Sequence, residues 1–325
     1  MRVALFGFEM PTVAAIYRTY EKDRKDEERT YLGASIIGEE CWRQLWYGFR
    51  WANEPEEFDG RKLRLFKTGH REEIRMIADL KRAGIQVWNR DPDNPSRQIG
   101  VVEIGGHFRG HMDGIGLGIL EAPKTPHLLE FKTHNSKSFK KLKEKGVQES
   151  KPTHYAQMQV YMHLQRLTRA LYLAHHKDTD ELYAERIVYD PVFAERLMAK
   201  AHSIVTAQEP PAKMHEDPSS RAAFACGWCA AKKQCHERAW ARRNCRTCLH
   251  ATPELDGDGR WTCARHKIDL TPEDQKSGCA NHLYIPALVP GDLVDSDPER
   301  GTVSYDIGGG EVFVDGGTEN PREVA

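Results

Sequence analysis

The sequence has no apolar run of the roughly 20 residues that a membrane-spanning helix needs, so no membrane partner is expected. It also has no excess of charge of one sign, because 47 Lys and Arg stand against 48 Asp and Glu. Without a global field, any binding to nucleic acid has to come from local basic patches. Long internal repeats and the phosphate-loop pattern of ATPases are missing as well. The chain therefore carries no evident ATPase of its own.

Hydrophobic residues make up 39% of the 325-residue chain, enough for one sizeable core and a smaller second unit. The opening stretch MRVALFGFEMPT is too short for a secretory signal and carries Glu9 too early. We therefore expect a cytoplasmic protein. Thiols stay reduced in that compartment, so the eight cysteines are expected to be metal ligands rather than disulfides.

Helical and strand patterns alternate along the first two thirds of the chain. Apolar side chains at three- and four-residue spacing predict a helix over 66–83, with Gly84 as its C-cap. Short apolar runs punctuated by Gly, Pro and Asn predict strands from about 85 to 132. A basic, poorly apolar connection is expected over 135–152, and Thr153 is expected to cap the helix that follows. Further predictions are helices over 11–28, from Ser35 or the Gly38–Glu39 step onward, and over 191–208, with hairpins over 169–190 and 302–317.

Carboxylates interrupt two of the predicted strands. Glu130 and Lys132 lie two residues apart in HLLEFKT, so they face one side while Phe131 faces the other. Asp113 ends the preceding strand, and antiparallel pairing would bring it beside Glu130. Two adjacent carboxylates repel unless a cation lies between them, and Mg²⁺ or Mn²⁺ prefers such oxygen ligands. With a lysine that positions water, these groups suit phosphodiester hydrolysis; the alternative is a buried Glu–Lys ion pair beside an unrelated turn aspartate.

Two further features favour the hydrolytic interpretation. Glu73 lies on or beside the apolar side of its helix, where a carboxylate needs a partner. Gln157 and Tyr161 are four residues apart in AQMQVYM and so share a helix face. An amide and a phenol on one face can hydrogen-bond phosphate or base, although the same stretch could also belong to the core.

The order Gly69-x3-Glu73, Asp113, Glu130-x-Lys132 and Gln157-x3-Tyr161 resembles the PD-(D/E)XK nucleases. More narrowly, it is similar to the branch with RecB-type nuclease domains, CRISPR-adaptation nucleases and lambda-type phage exonucleases. The resemblance covers roughly residues 35–240. It implies an α/β restriction-endonuclease-like fold, in which helices flank a central mixed sheet.

The resemblance also implies roles for these residues. Metal would be held by Asp113, Glu130 and the backbone carbonyl of Phe131, with Glu73 binding directly or through water. Lys132 would orient the attacking water, and a helix face would hold the DNA strand. Two alternatives stay open in this sequence: Gln159 matches the phage-type Gln-x-Gln motif, and His70 could substitute for Glu73. The two residues whose helix face would hold the DNA strand are Gln157 and Tyr161.

Three cysteines in CGWCAAKKQC need a fourth ligand to complete a tetrahedral or cubane site. One distant cysteine, in ECWRQLWY, is left to supply it. This arrangement resembles the iron–sulfur members of the same nuclease branch, which implies a 4Fe–4S cluster joining the N-terminal helix to the C-terminal segment. Zinc in the same four thiolates is the alternative. The proposed ligands are Cys41, Cys226, Cys229 and Cys235.

The other four cysteines fall within a segment of about 35 residues and predict a small zinc module. A histidine could replace one thiolate, with His282 as the first candidate and His250 or His266 as others. Four free or redox-active thiols are the alternative. Trp261 and nearby arginines, Arg246 among them, are expected either to contact DNA or to form a solvated face. The proposed zinc ligands are Cys245, Cys248, Cys263 and Cys279.

Lysines cluster directly after the proposed catalytic strand, seven of them against two glutamates over 132–151. Three lysines of this cluster are predicted to bind DNA phosphates, and the alternative is a solvated loop. They are Lys137, Lys140 and Lys141.

The expected organisation is an N-terminal helical region (1–65), a nuclease core (66–240) with its cluster-binding segment (226–235), a zinc module (241–290) and an acidic tail (291–325). The expected function is a metal-dependent DNA exonuclease of recombination, repair or replication, of phage-like type and then acting in the host cytoplasm. DNA is the expected substrate, with a helicase or recombination protein as a further partner. The alternatives are a structure-specific endonuclease and a non-catalytic DNA-binding scaffold.

Overall fold

The computed structural model describes residues 10–24 and 28–316. Within these ranges no helix is both long and apolar enough to cross a membrane. Three parts of the chain lie outside the described residues. They are the opening stretch up to residue 9, residues 25–27 of the helix predicted over 11–28, and the tail beyond residue 316.

Helices occupy much of the first 240 residues. The described α-helices are α1 (Pro11–Lys22), α2 (Trp42–Phe49), α3 (Gly60–Arg82), α4 (Ser136–Ser150), α5 (Pro152–Gln165), α6 (Pro191–Thr206) and α7 (Lys232–His236). The described strands are β1 (Leu32–Gly33), β2 (Gln86–Trp88), β3 (Gly100–Glu103), β4 (Phe108–His111), β5 (Gly114–Leu117), β6 (His127–His134), β7 (Arg169–His176), β8 (Leu182–Val188), β9 (Ala251–Pro253), β10 (Trp261–Cys263), β11 (Ile268–Leu270), β12 (Asp292–Asp297), β13 (Thr302–Gly308) and β14 (Glu311–Gly316).

A mixed five-stranded sheet lies at the centre, in the order β2-β5-β6-β7-β8. Strands β6 and β7 run parallel, and the other neighbours are antiparallel. Side chains alternate across β6, so its two faces meet different helices. Leu129 and Phe131 pack against Met76 and Ile77 of α3, while Leu128 joins the larger cluster that includes residues of α4, α5 and α6. The predicted α/β architecture, a mixed sheet flanked by helices, is confirmed.

The connection expected over 135–152 is instead helix α4, so that prediction is wrong. Asn135 caps its first turn, and Phe139 and Leu142 are buried on one face. Gly146 then takes a φ of 70°, a left-handed conformation that kinks the helix and shifts its phase. Val147 is buried beyond the kink. The kink conceals the helical spacing in the sequence, because the apolar positions before and after it belong to different phases.

Helix ends also differ from expectation. Helix α3 begins six residues earlier than predicted, because the side chain of Asp59 accepts a hydrogen bond from the backbone of Lys62 at 2.7 Å. Helix α5 begins at Pro152, and Lys151 precedes it without a side-chain cap, so Thr153 lies inside the first turn and is not the cap. The hairpin β7–β8 and the helix after it are confirmed.

Two small three-stranded sheets complete the C-terminal part, β11-β10-β9 and β12-β13-β14. The hairpin predicted near 302–317 is present as β13–β14, and β12 adds a third strand. Trp261 and Cys248 of the cysteine-rich segment belong to the same buried cluster as Trp46 and Phe49 of α2. The segment predicted as a zinc module therefore shares a core with the N-terminal helical region.

Candidate active site and cysteine clusters

Strand β6 carries the predicted catalytic pair. Glu130 is fully buried, and the Lys132 ammonium forms an ion pair with its Oε1 atom. The Lys132 side chain remains 27% exposed, so its end lies near the surface while the glutamate lies beneath it. The alternation expected from the sequence thus places both groups on the sheet face that α5 covers.

Asp113 lies where β5 begins, beside β6. Gly114 pairs with Leu129, and Oδ2 of Asp113 accepts a hydrogen bond from the backbone N–H of Phe131 at 2.7 Å. A side chain at Gly114, whose φ is 158°, would come within 2.9 Å of the backbone oxygen of Trp88. The predicted antiparallel pairing therefore does bring Asp113 next to the Glu130–Lys132 pair.

Helix α5 covers the site with the predicted amide. Nε2 of Gln157 donates to Oε2 of Glu130 at 3.2 Å. Gln159 faces away from Glu130. Its side-chain amide forms hydrogen bonds with the backbone of Val188 and Asp190 at the end of β8. Of the two glutamine candidates, only Gln157 reaches the carboxylate. This hydrogen bond satisfies the second oxygen of a buried carboxylate, which would otherwise be costly.

Tyr161 lies one turn further along α5 and is also buried. Its hydroxyl interacts with the side chain of Gln157 and the backbone of His111. A Cβ atom at Gly110 would approach the Tyr161 ring and hydroxyl to 2.6 Å, so this close packing requires glycine. Burial, followed by the charge of Glu130, raises the pKa of Tyr161. The phenol is therefore neutral near pH 7 and available as a hydrogen-bond donor.

Glu73 approaches the site from α3. Burial and then the negative charge of Asp113 raise the pKa of Glu73. Its carboxylate accepts a hydrogen bond from Gln98 at 3.2 Å, and the exposed imidazole of His70 lies 3.9 Å away. Gln98, in the loop before β3, was not among the sequence predictions. Its loop position gives no periodicity, so no pattern in the sequence marks it.

Burial and mutual charge shift the pKa values of the ionisable groups at this site. Burial raises the pKa of Glu130 to about 7, while the charge of Lys132 opposes this shift. Burial likewise raises the pKa of Asp113. Burial alone would lower the pKa of Lys132, but Glu130 and Asp113 outweigh it and raise that pKa. Three carboxylates and one ammonium sum to −2 when all are charged, which is the charge that one divalent cation neutralises.

The donor chemistry of the site suits a hard divalent cation. Asp113 and Glu130 supply carboxylate oxygens, the ligand type that Mg²⁺ and Mn²⁺ prefer. Among the described residues, no group of three or more His, Cys, Asp or Glu side chains is already arranged as a metal site. The Lys132 ammonium is hydrogen-bonded to Oε1 of Glu130.

The raised pKa of Glu130 predicts that metal-free protein loses stability as pH rises. Its pKa moves from an ordinary 4.5 to about 7 in the folded state. Between those values the folded state keeps a proton that the unfolded state has released, so stability falls with rising pH and levels off above about 7. Melting temperatures measured in EDTA across this window should show the slope, and Glu130→Gln should reduce it. An unchanged slope in that variant would assign the effect to other groups.

The lysines predicted to bind DNA lie on the outer face of α4. Lys137, Lys140 and Lys141 are exposed, whereas Phe139 and Leu142 face the core. Helix α4 follows β6 directly, so this basic face begins at the end of the strand that carries Glu130 and Lys132. Lys140 also lies 3.9 Å from the carboxylate of Glu144 on the same helix.

Four cysteines that are far apart in the sequence line one cavity. Cys41 precedes α2, and its sulfur accepts a hydrogen bond from the backbone of Gln44 at 3.4 Å. Burial raises the pKa of Cys229, and the negative charge of the neighbouring thiolates adds to this effect. Arg43 opposes the similar effect of burial on Cys235. The four cysteines that line this small cavity are Cys41, Cys226, Cys229 and Cys235.

The second cysteine set lines a cavity of about 300 Å³. Burial, then the neighbouring cysteines, raises the pKa of Cys245 to about 12. Sγ of Cys279 lies 3.5 Å from Nε2 of His266, whereas Nε2 of His282 faces the backbone oxygen of Asn244 at 3.1 Å. Of these two histidines, His266 is the one in contact with a thiol. The cysteines of this cavity are Cys245, Cys248, Cys263 and Cys279.

Comparison with known proteins gives distant structural likenesses. No family model and no curated protein matches the sequence. The chain is similar to the crystal structure of SSO0001, with 15% identity, a TM-score of 0.40, and coverage of 70% of this chain and 98% of that one. It is also similar to the alkaline exonuclease LHK-Exo from Laribacter hongkongensis, with 14% identity, a TM-score of 0.39, and coverage of 55% and 87%. The same exonuclease in complex with dAMP gives 14% identity, a TM-score of 0.38, and coverage of 54% and 86%.

Proposed function

We propose that this protein is a metal-dependent deoxyribonuclease that hydrolyses phosphodiester bonds from DNA ends. The observation that carries the proposal is the convergence of three carboxylates on one lysine. Asp113 acts on the ionisation of Glu73 and Glu130, Glu73 acts on that of Glu130, and the charge of Lys132 acts on all three carboxyl groups. A structural ion pair would need one carboxylate, so the surplus of negative charge supports a site built for a cation.

Each side chain has a distinct role in the proposed reaction. Asp113 and Glu130 would hold Mg²⁺ or Mn²⁺ with the carbonyl of Phe131, and Glu73 would support the metal directly or through water. The metal would lower the pKa of a bound water and offset charge on the phosphate. Lys132, released from Glu130, would orient the attacking water.

Helix α5 would hold the DNA strand against this site. Gln157 already donates to Glu130, so its amide lies at the edge of the proposed metal site. Tyr161 is buried, and its hydroxyl would hold the Gln157 amide in place beside the strand. Phosphates beyond the scissile bond would meet Lys137, Lys140 and Lys141 on α4, which supply charge without reading sequence.

Action on DNA ends is favoured by the motif resemblance to end-processing enzymes of recombination, repair and replication, including those of phages. A helicase or recombination protein would then be a partner. A structure-specific endonuclease would use the same residues and cut internally. A DNA-binding scaffold is the third candidate, and the intact Asp113, Glu130 and Lys132 count against it.

Linear and covalently closed circular DNA separate these functions. We expect the wild type with Mg²⁺ or Mn²⁺ to degrade linear DNA and to leave circles intact. Asp113→Asn, which keeps an oxygen to accept from Phe131, should be inactive on both. Cutting of circles would instead indicate the endonuclease. Metal-replete protein that binds DNA but degrades no substrate would overturn the nuclease proposal.

The two cysteine sets are proposed as separate metal sites. Cys41, Cys226, Cys229 and Cys235 would hold a 4Fe–4S cluster, with zinc as the alternative for four thiolates. The second set would hold zinc, with His266 beside Cys279 as a possible replacement ligand. Thiolate ligands need the low pKa that a bound cation provides, since burial raises the pKa of Cys245 in its absence.

Metal analysis of matched serine variants tests this assignment. Cys235→Ser should lose iron and acid-labile sulfide while keeping zinc. Cys263→Ser should lose zinc while keeping iron. Zinc alone in the wild type, at twice the protein concentration, would support zinc in both sets. Protein free of both metals after anaerobic purification would overturn both sites.

A further inference from the structure

A chain of hydrogen bonds runs beside the candidate active site and is not used by the proposed mechanism. Nζ of Lys151 donates to Oγ of Ser138 at 2.5 Å, and Oγ lies 3.0 Å from Nδ1 of His134. Nε2 of His134 lies 2.8 Å from the hydroxyl of Tyr172, which lies 3.0 Å from Nδ1 of His154. We call these five residues the polar chain.

The polar chain is attached to the same elements as the site. His134 lies on β6, on the face that carries Glu130 and Lys132. Tyr172 of β7 is the parallel partner of Glu130. His154 lies three residues before Gln157 on α5, so both belong to one helix face. The charge of Lys132 acts on both imidazoles, which places the polar chain within electrostatic reach of the catalytic lysine.

Donor and acceptor chemistry allows one continuous direction along the polar chain. Lys151 can only donate, so Ser138 accepts from it, and in this direction the Ser138 hydroxyl donates to Nδ1 of His134. His134 then carries its proton on Nε2 and donates to the oxygen of Tyr172. Tyr172 donates to Nδ1 of His154, whose own proton is left on Nε2. The arrangement is that of a proton wire, because each member accepts from one neighbour and donates to the next.

The surroundings keep the wire neutral between its ends. Tyr172 is fully buried and His134 is 6% exposed. Burial, then the ammonium groups of Lys151, Lys132 and Lys177, lowers the pKa of His134 to about 4. Burial, then Lys132, His134 and Lys151, lowers the pKa of His154 to about 3. Both imidazoles can therefore pass a proton without storing one.

We propose that the polar chain is a proton relay that supplies the leaving oxygen of the cleaved phosphodiester through His154. The inference rests on the proposed nuclease function. As the bond from phosphorus to the leaving oxygen breaks, the attacking water forms the new bond and loses its proton to solvent. The leaving oxygen takes the Nε2 proton of His154, and Nδ1 of His154 takes the Tyr172 proton. Protons then shift from His134, Ser138 and Lys151 in turn, and solvent reprotonates Lys151.

A change of leaving group distinguishes proton supply from structural support. The comparison uses oligonucleotides in which sulfur replaces the 3′- or the 5′-bridging oxygen at the scissile linkage. A thiolate departs without a proton, since thiol pKa values lie near 8.5. Tyr172→Phe should slow cleavage of ordinary DNA by about 100-fold and leave the sulfur-bridged strand near the wild-type rate. Cleavage is measured with Mn²⁺, in single turnover.

Conservative variants sharpen the comparison. His154→Gln keeps an oxygen that accepts from Tyr172 but cannot relay a proton, so it should show the same selective loss. A second histidine–tyrosine pair provides the matched control, because Nδ1 of His163 on α5 lies 2.7 Å from the hydroxyl of Tyr189, which follows β8. Tyr189→Phe should leave both substrates unaffected.

The outcomes separate the relay from the nuclease proposal. If the wild type cleaves DNA and Tyr172→Phe slows both substrates equally, the polar chain supports structure and the relay is overturned. Wild-type rates in both Tyr172→Phe and His154→Gln would overturn it as well. If the wild type cleaves neither substrate while Asp113→Asn is equally inert, the nuclease function itself fails.

Discussion

Replacing Lys132 with methionine should lower the rate of DNA cleavage by roughly 10³-fold, within the range for groups that act on protons in the transition state. Methionine keeps most of the side-chain volume but removes the ammonium that Glu130 and Asp113 share. DNA binding should persist, because the exposed lysines of α4 are unchanged. Single-turnover cleavage of a linear duplex, with binding measured in Ca²⁺, reports the two effects separately.

Lys137→Met is the matched control for this prediction. Lys137 is an exposed lysine on α4, five residues beyond Lys132. Its replacement should weaken binding slightly and leave the rate of the bound complex unchanged. Cleavage by the Lys132→Met variant at the wild-type rate would refute the proposed active site, whatever the result for the control.

Arg246→Met should lower the free energy of unfolding by about 3 kcal/mol, because it leaves several buried acceptors without a donor. Its guanidinium is buried and donates at 2.9 Å each to the backbone oxygens of Phe49 and Thr30 and to the side chain of Gln275. It also stacks over the Trp51 ring at 3.8 Å. Loss of these contacts should loosen the cysteine-rich segment from α2.

Urea unfolding followed by tryptophan fluorescence measures this effect. Arg265→Met offers the control, since Arg265 is an exposed arginine of the same segment and should change stability by less than about 0.5 kcal/mol. Equal midpoints for the two variants would show that the buried guanidinium does not hold the segment. Arg246→Lys should not rescue stability, because an ammonium cannot donate in the forked geometry.

Arg50 explains why this junction is sensitive. It is also fully buried, and it donates to the backbone oxygens of Arg246, Ala251 and Ala207. Its guanidinium lies 5.1 Å from the Trp261 ring centre, and that of Arg246 lies 4.8 Å from it. Two guanidinium groups thus share one aromatic ring and several carbonyl oxygens, which stabilise them.

The sequence and the structure agree best where spacing is short and regular. Alternation along a strand placed Glu130 and Lys132 on one face, and helical spacing predicted the shared face of Gln157 and Tyr161. Both follow from backbone geometry alone, which does not depend on distant contacts. The same reasoning failed over α4, because Gly146 changes the helical phase.

The choice between Gln157 and Gln159 is one that local sequence patterns cannot make. The two residues are two apart in a helix and buried on different sides. Their sequence context does not reveal which one faces β6. Packing of α5 over the sheet decides it, since Gln157 meets Glu130 and Gln159 meets the end of β8.

The sequence by itself predicted most of the longer helices, the strands from β2 to β8, the hairpin β13–β14, the pairing of Asp113 with β6 and the grouping of the cysteines into two sets. Those features depend on side-chain spacing and residue chemistry. Only the tertiary structure decided that Trp261 and Arg246 are buried rather than exposed to DNA or solvent, so both sequence interpretations of these two residues are wrong. Tertiary packing also created the polar chain, because its members come from β6, α4, β7, α5 and the residue between the two helices. They meet only when the sheet and helices pack against one another.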